Sequence, residues 1–129
     1  MIRYLVVHCA DTPDHRDVTA ADIHGWHQKR GWDGIGYHAF IRRDGTIEAG
    51  RPVYWTGAHV RGHNSHSLGV CLAGRTHFTE AQRHSLEQVL WAWKKTYPEA
   101  QVCGHNDLDP KKSCPNFNAK ALWKERFGA

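Results

Sequence analysis

The stretch YLVVHCADT (residues 4–12) joins a short apolar run to a polar end. A run of this length, rich in valine and followed by polar residues, predicts a buried β-strand. His8 ends the run, so an imidazole lies where the strand ends and a loop begins. Successive strand residues point to opposite faces, so of His8 and Cys9 only His8 is expected to reach a site at that strand end.

Three further stretches predict the rest of a sheet. Residues 36–50 (GYHAFIRRDGTIEAG) predict two strands joined at Asp44-Gly45, a dipeptide typical of hairpin turns. Residues 68–74 (LGVCLAG) predict a central strand, and residues 100–105 (AQVCGH) predict a late strand that ends at His105. Most of the polar residues that could take part in binding or catalysis therefore lie at strand ends.

Polar residues of the N-cap type open three predicted helices, at Thr19, Thr79 and Asn118. The second helix has apolar residues at intervals of three and four as far as Tyr97 and ends before Pro98. Strands interspersed with helices indicate an α/β (α+β) fold. We expect a single domain, residues 1–129, with a central mixed β-sheet of about five strands flanked by about three helices.

Composition narrows the class of protein. With 40% hydrophobic and 23% charged residues, the chain suits a packed core rather than disorder. Lysines and arginines are spread along the chain, so the net charge of +4 does not indicate a nucleic-acid surface, although it fits a polyanionic partner such as a bacterial envelope. We expect no signal peptide and no membrane insertion, because the apolar runs are too short for either.

His8, His105 and Cys114 are the candidate metal ligands, because two imidazoles and a thiolate suit Zn²⁺ at catalytic sites. The same set fits blue copper, but the weak axial ligand is commonly methionine and the one methionine is Met1. Two other interpretations stay open at this point: a thiol nucleophile at Cys114 with His105 as its base, and a buried histidine beside an ordinary loop cysteine. Spacing alone does not show that the two histidines are neighbours.

Four segments, in chain order, carry a resemblance to a known family: VVHCADT (6–12), GWDGIGYHAFIRRDGTIEAGR (31–51), GAHVRGHNSHSLGVCLAG (57–74) and GHNDLDPKKSCPNF (104–117). They resemble the zinc-dependent N-acetylmuramoyl-L-alanine amidases, in particular the phage endolysins of that family. Peptidoglycan recognition proteins share the fold. The resemblance extends over nearly the whole chain, and it favours zinc among the open interpretations.

The resemblance implies a role for each matching residue. The family's metal ligands correspond to His8, His105 and Cys114, and the tyrosine that assists catalysis corresponds to Tyr37. From the residues alone, Tyr37 is equally a core aromatic. An unperturbed phenol is a poor base at neutral pH, so orienting the attacking water and donating a proton to the leaving nitrogen are both open for it.

A second catalytic residue implied by the resemblance is a lysine two positions before the cysteine, which is Lys112. The loop between the late histidine and the cysteine is slightly longer here than in the phage relative, and counting from the loop proline selects Lys111 instead. We prefer Lys112, because position relative to a metal ligand fixes reach more directly. The Gly-punctuated segment at 57–64 supplies His59 and Asn64 as substrate-contact candidates.

The implied function is that of an endolysin. Such an enzyme cuts the amide bond between N-acetylmuramic acid and L-alanine in bacterial peptidoglycan, with Zn²⁺ as cofactor. We expect a monomer that accumulates in the host cytoplasm and reaches the wall upon holin-type release. A cytoplasmic amidase that recycles wall fragments and a non-catalytic peptidoglycan-binding module are the alternatives; binding-only members usually lack the cysteine that is present here as Cys114.

Overall fold

The computed structural model describes residues 1–128. Five strands form one sheet in the order β3-β2-β4-β1-β5. They are β1 (Tyr4–Cys9), β2 (Ala39–Ile41), β3 (Ile47–Ala49), β4 (Ser67–Leu72) and β5 (Gln101–Gly104). Strand β3 pairs antiparallel with β2, and the other three pairings are parallel. The predicted mixed sheet of about five strands is confirmed.

Four helices accompany the sheet, one more than the sequence indicates. They are α1 (Ala20–Lys29), α2 (Glu80–Thr96), α3 (His105–Leu108) and α4 (Ala119–Phe127), with a 3-10 turn at Asn64–His66. The additional helix is α3, a single turn that is too short to show helical periodicity in the sequence. Within residues 1–128, no helix combines the length and the apolar character needed to cross a membrane.

The helix starts follow the predicted capping residues. Thr19 and Thr79 each accept a hydrogen bond from the backbone N–H three residues on, at 3.2 Å and 3.0 Å, and Asn118 does the same at 3.0 Å. The backbone N–H groups of Thr19 and Thr79 in turn donate to the side chains of Asp22 and Gln82, which completes two capping boxes. Local chemistry therefore fixes where these helices begin.

The sheet has a helix-covered face on each side. On one face, side chains of β1, β4 and β5 such as Leu5, Leu68 and Val102 pack with Leu86 and Leu90 of α2. Helix α4 packs into the same cluster, which is the main core. On the other face, a smaller cluster that includes Ile23 of α1 packs over Phe40 and Cys71. Coverage of both faces explains the apolar runs of the central strands.

The Gln82 side chain makes four hydrogen bonds where helix α2 meets the sheet. Its side chain is fully buried. The amide nitrogen donates to the carbonyl oxygens of Ile41 (3.3 Å) and Ala73 (2.8 Å). The amide oxygen accepts from the backbone of Thr79 (3.1 Å) and the guanidinium of Arg43 (3.1 Å). One side chain thus satisfies backbone groups from two strand ends and from a helix cap.

We expect Gln82→Leu to lower the free energy of unfolding by about 2 kcal/mol, because the Thr79 N–H loses its acceptor and the Ile41 and Ala73 carbonyl oxygens each lose one of their two donors. Urea denaturation followed by circular dichroism measures the change. Gln88→Leu is the matched control, because Gln88 lies on the same helix but is exposed. Equal stability of the two variants would contradict a bridging role for Gln82.

The register of the parallel strands brings two distant histidines to one edge of the sheet. Val7 of β1 pairs with Gly104 of β5, so the residues that follow each of them, His8 and His105, are neighbours. Carboxyl ends of parallel strands in open α/β sheets are where ligands usually bind. The fold therefore places the predicted metal ligands at the edge where a site is expected.

Candidate active site

Three side chains meet at the carboxyl ends of β1 and β5. His8 lies near the end of β1, His105 begins α3, and Cys114 lies in the loop that follows α3. One nitrogen of each imidazole and the Cys114 sulfur lie within 4.8 Å of one another. Across residues 1–128, this is the one group of three or more His, Cys, Asp or Glu side chains close enough to share a metal ion. The structure thus assembles all three predicted ligands.

The loop that carries Cys114 is tied to the site by backbone hydrogen bonds. The Asn106 N–H donates to the Cys114 carbonyl at 2.8 Å, which joins the first turn of α3 to the end of the loop. The Cys9 N–H donates to the Cys114 sulfur at 2.9 Å. Gly104 allows this approach, because a Cβ there would stand 2.8 Å from the Pro115 side chain. Cys114 is therefore held by hydrogen bonds from both α3 and β1.

The environment of both histidines favours the neutral imidazole. His8 is buried, and burial lowers its pKa well below the usual value, with smaller contributions from His59 and His105. Burial likewise lowers the pKa of the partly exposed His105. A neutral imidazole offers the lone pair that a metal needs. The two rings are thus prepared to bind a cation without first losing a proton.

The Cys114 thiol interacts with Cys9. A hydrogen bond with the Cys9 side chain, followed by burial, raises the pKa of Cys114. Cys9 lies at the last position of β1, where strand alternation ends, so its thiol reaches Cys114 although we expected it to point away from the site. A bound cation would displace the thiol proton of Cys114.

The donor set itself indicates which metals the site can hold. Two imidazoles and one thiolate, without a carboxylate among them, suit a borderline-soft ion such as Zn²⁺. Three protein ligands leave a fourth tetrahedral position open, as in catalytic zinc sites. His105 and Cys114 are partly exposed, so an ion held by these residues could be reached from solvent.

Tyr37 borders the metal site. Its ring centroid lies 5.0 Å from that of His8. Burial, and to a smaller extent the neighbouring cysteines, raises the pKa of Tyr37 well above its usual value. The phenol therefore remains protonated throughout the neutral pH range and can act as a hydrogen-bond donor. Its position beside His8 makes it a site residue as well as a packed aromatic.

Two histidines of α1 hold the loop that carries Tyr37. His24 Nδ1 accepts a hydrogen bond from the Ile35 N–H at 3.0 Å, and His27 Nδ1 accepts one from the Gly36 N–H at 2.9 Å. Neither histidine was a candidate from the sequence. The signal was present, since they lie three residues apart on one helix just before a glycine-rich loop.

The two loop lysines differ in their relation to the site. Both are exposed. Burial is the main cause of the lowered pKa of His105; Asp109 acts in the opposite direction, and the Lys112 charge adds to the lowering. The Lys112 ammonium is therefore close enough to influence a predicted metal ligand. The backbone N–H of Lys111 donates to the Asp109 carboxylate at 3.0 Å.

His59 and Asn64, the predicted substrate contacts, have partners inside the protein. His59 is 9% exposed, and its Nδ1 lies 2.8 Å from His8 Nε2. Burial, reinforced by His38, lowers the pKa of His59 to about 3. The Asn64 side-chain oxygen accepts from the backbone N–H groups of His59 and Val60, both at 2.9 Å. A substrate contact for either residue stays a prediction.

Sequence comparison identifies the family of the chain. The family model for N-acetylmuramoyl-L-alanine amidase matches residues 1–117. The chain is 42% identical to the endolysin of Klebsiella phage KP32, over 94% of this chain and 85% of the relative. It is 38% identical to the endolysin of Escherichia phage T7, with the same coverage of both chains.

Structural comparison gives the same answer independently. The endolysin N-acetylmuramoyl-L-alanine amidase LysCS from Clostridium intestinale superposes with a TM-score of 0.90 at 30% identity, covering 99% of this chain and 84% of that one. The resemblance identified in four sequence motifs is thereby confirmed over the fold as a whole. The chain belongs to the N-acetylmuramoyl-L-alanine amidase family of peptidoglycan hydrolases.

Proposed function

We propose that this chain is a zinc-dependent amidase whose residues 1–129 form one catalytic domain. It hydrolyses the amide bond between the lactyl group of N-acetylmuramic acid and L-alanine in peptidoglycan. The observation that carries the proposal is the meeting of His8, His105 and Cys114 within 4.8 Å, at a sheet edge of a chain that belongs to this amidase family. No other described group of side chains has the same potential.

His8, His105 and Cys114 would hold the zinc ion. When bound, Zn²⁺ supplies Lewis-acid activation of a water molecule and of the scissile carbonyl. The protein residues fix the orientation of this chemistry: β1 and β5 set the spacing of the histidines, and the Cys9 N–H positions the sulfur. Ligands held on a rigid sheet edge would keep a bound ion in a fixed position.

Tyr37 and Lys112 would act on the substrate. A tyrosine whose pKa is raised by burial keeps its proton, so Tyr37 serves as a donor to the developing charge or to the leaving nitrogen rather than as a base. The Lys112 ammonium stabilises the oxyanion that forms when the amide carbonyl is attacked. His59 and Asn64 retain their proposed place at the edge of the substrate cleft.

The thiol geometry disfavours a cysteine hydrolase. The Cys114 sulfur lies 3.6 Å from the Cys9 carbonyl oxygen, and among the described residues no hydrogen bond joins it to the His105 ring. A thiol nucleophile needs its base within hydrogen-bond reach. A binding-only module is disfavoured as well, because it would have no use for a complete set of metal ligands.

The biological role that we propose is lysis of a bacterial host by a phage endolysin. It is supported by the similarity to phage endolysins over 94% of the chain. We propose that the enzyme acts as a monomer and reaches the wall from the host cytoplasm after holin-type release. Recycling of wall fragments would use the same chemistry and is the alternative role.

The two loop lysines offer a matched pair of variants. We expect Lys112→Ala to lower kcat about 10²-fold, because one stabilising group for the oxyanion is lost. We expect Lys111→Ala to remain within about twofold of the parent, since a solvated surface charge contributes little. Initial rates of release of soluble peptide from purified peptidoglycan give both values. The reverse order of effects would assign the catalytic role to Lys111.

Metal analysis tests the zinc proposal directly. Elemental analysis of the purified protein should give one zinc per chain. Treatment with a chelator should abolish turnover, and added Zn²⁺ should restore it. Metal-free protein with full activity would refute the proposal and favour a thiol nucleophile at Cys114.

A further inference from the structure

A chain of hydrogen bonds leads from the metal site into the protein. His8 Nε2 lies 2.8 Å from His59 Nδ1. His59 Nε2 lies 3.2 Å from the Ser67 hydroxyl, and that hydroxyl donates to the His63 carbonyl at 2.7 Å. Both His59 and Ser67 are buried, and the chemistry proposed above assigns no role to the bonds between them. Their arrangement calls for an explanation of its own.

The last acceptor determines the direction of every bond in the chain. A backbone carbonyl can only accept, so the Ser67 proton points to His63 and the Ser67 oxygen is left to accept. His59 Nε2 must then carry the proton that it shares with Ser67. A neutral imidazole has a single N–H, so the other nitrogen of His59, Nδ1, has a free lone pair.

The tautomer of His59 in turn determines which ring nitrogen of His8 carries the proton. The free lone pair at His59 Nδ1 accepts the proton of His8 Nε2 across 2.8 Å. His8 is then protonated at Nε2 and bare at Nδ1. The bare nitrogen is the one that can bind a metal ion, and the N–H on the opposite side is anchored. Hydrogen bonding of the second ring nitrogen is how proteins fix the tautomer of metal-binding histidines.

The surroundings of His59 are shaped to hold its ring in this position. The ring packs over Gly69, where a Cβ would stand 2.5 Å from His59 Nδ1. Gly57 leaves room for the ring in the same way, because a Cβ at position 57 would stand 2.7 Å from it. The Asn64 side chain anchors the backbone of His59 at 2.9 Å. Any side chain larger than hydrogen at Gly69 would displace the ring.

We propose that His59 and Ser67 form a relay that positions His8, by fixing the tautomer in which Nδ1 is free for the metal. This inference rests on the proposed zinc site. It gives His59 a role inside the protein, distinct from the substrate contact predicted from the sequence. It also explains why a buried histidine lies 2.8 Å from a predicted metal ligand.

The test compares two substitutions of one residue. In His59→Asn, the side-chain oxygen can take the place of Nδ1 as acceptor; in His59→Leu, nothing can. Competition with a fluorescent zinc chelator gives the dissociation constant of each variant. We expect zinc affinity to fall roughly 10- to 100-fold in His59→Leu and to stay within about threefold of the parent in His59→Asn. His84→Leu, an exposed histidine on α2, is the control for the substitution itself.

A second measurement needs no metal. Nitrogen-15 NMR of the metal-free parent should show the His8 ring protonated at Nε2, and Ser67→Ala should give a mixture of tautomers at His59. This arm remains informative if His59→Leu folds poorly, because the serine variant removes only one oxygen atom.

The possible outcomes separate the relay from the zinc site. Zinc bound by the parent with unchanged affinity in His59→Leu would overturn the relay and leave the zinc proposal intact. A His8 ring protonated at Nδ1 in the metal-free parent would overturn the relay as well. A parent that binds no zinc would refute the proposed function, and the relay with it.

Discussion

We expect replacement of Cys114 with serine to remove stoichiometric zinc and to lower amidase activity about 10³-fold or more, since metal activation contributes several kcal/mol to the transition state. A serine hydroxyl is a far weaker zinc ligand than a thiolate, and the two remaining imidazoles cannot hold the ion alone. The substitution changes one atom in a loop whose backbone bonds are untouched, so the fold is retained. Elemental analysis after gel filtration and kcat/KM on purified peptidoglycan give the two quantities.

Cys103→Ala is the matched control for this experiment. Cys103 is also a free cysteine, but it is buried in β5, where it packs with Val6 and Val60. We expect the zinc content of the Cys103→Ala variant to equal that of the parent. The zinc content of Cys114→Ser also separates two mechanisms, because a cysteine hydrolase would lose activity without any dependence on metal. Full zinc content in an inactive Cys114→Ser protein would contradict the role of Cys114 as a ligand.

The second large effect is expected at Tyr37. Tyr37→Phe should lower kcat about 10³-fold, because the phenol is the proton donor closest to the metal site in our account. The aromatic ring and its contact with His8 remain, so zinc affinity should stay within about threefold. Steady-state kinetics that separate kcat from KM, together with a zinc titration, measure these effects.

Tyr97→Phe controls for loss of a phenol elsewhere in the chain. Tyr97 follows α2 and packs against the main core, on the face of the sheet opposite to α1. The Tyr97→Phe variant should hydrolyse peptidoglycan at the rate of the parent. Near-parental turnover of Tyr37→Phe would show that the phenol does not donate a proton, and it would leave Tyr37 as a packing residue.

Features determined by neighbouring residues were predictable from the sequence. The helix starts at Thr19, Thr79 and Asn118 depend on a side chain and a backbone group three residues on, and all three are confirmed. The strands were visible as apolar runs between polar segments. Helix α3 was not, because a single turn shows no helical periodicity and is tied to a residue outside it, through the bond from the Asn106 N–H to the Cys114 carbonyl at 2.8 Å.

Features that depend on distant residues needed the fold. The sequence places His8 and His105 at strand ends, but only the pairing of β1 with β5 makes them neighbours. Before the fold was known, the family resemblance alone indicated that they meet. The position of His59 depends on packing against Gly69, a contact with no local signal. The lysine roles remain predictions, since both side chains are exposed on a loop.

Mass spectrometry of peptidoglycan digests tests the central claim most directly. Purified peptidoglycan is treated with zinc-loaded and with metal-free protein, and the released fragments are identified. We predict free stem peptides with L-alanine at their amino termini from the zinc-loaded protein and none above background from the metal-free protein. New reducing sugar ends, or the same peptides released at the same rate without metal, would contradict a zinc-dependent amidase.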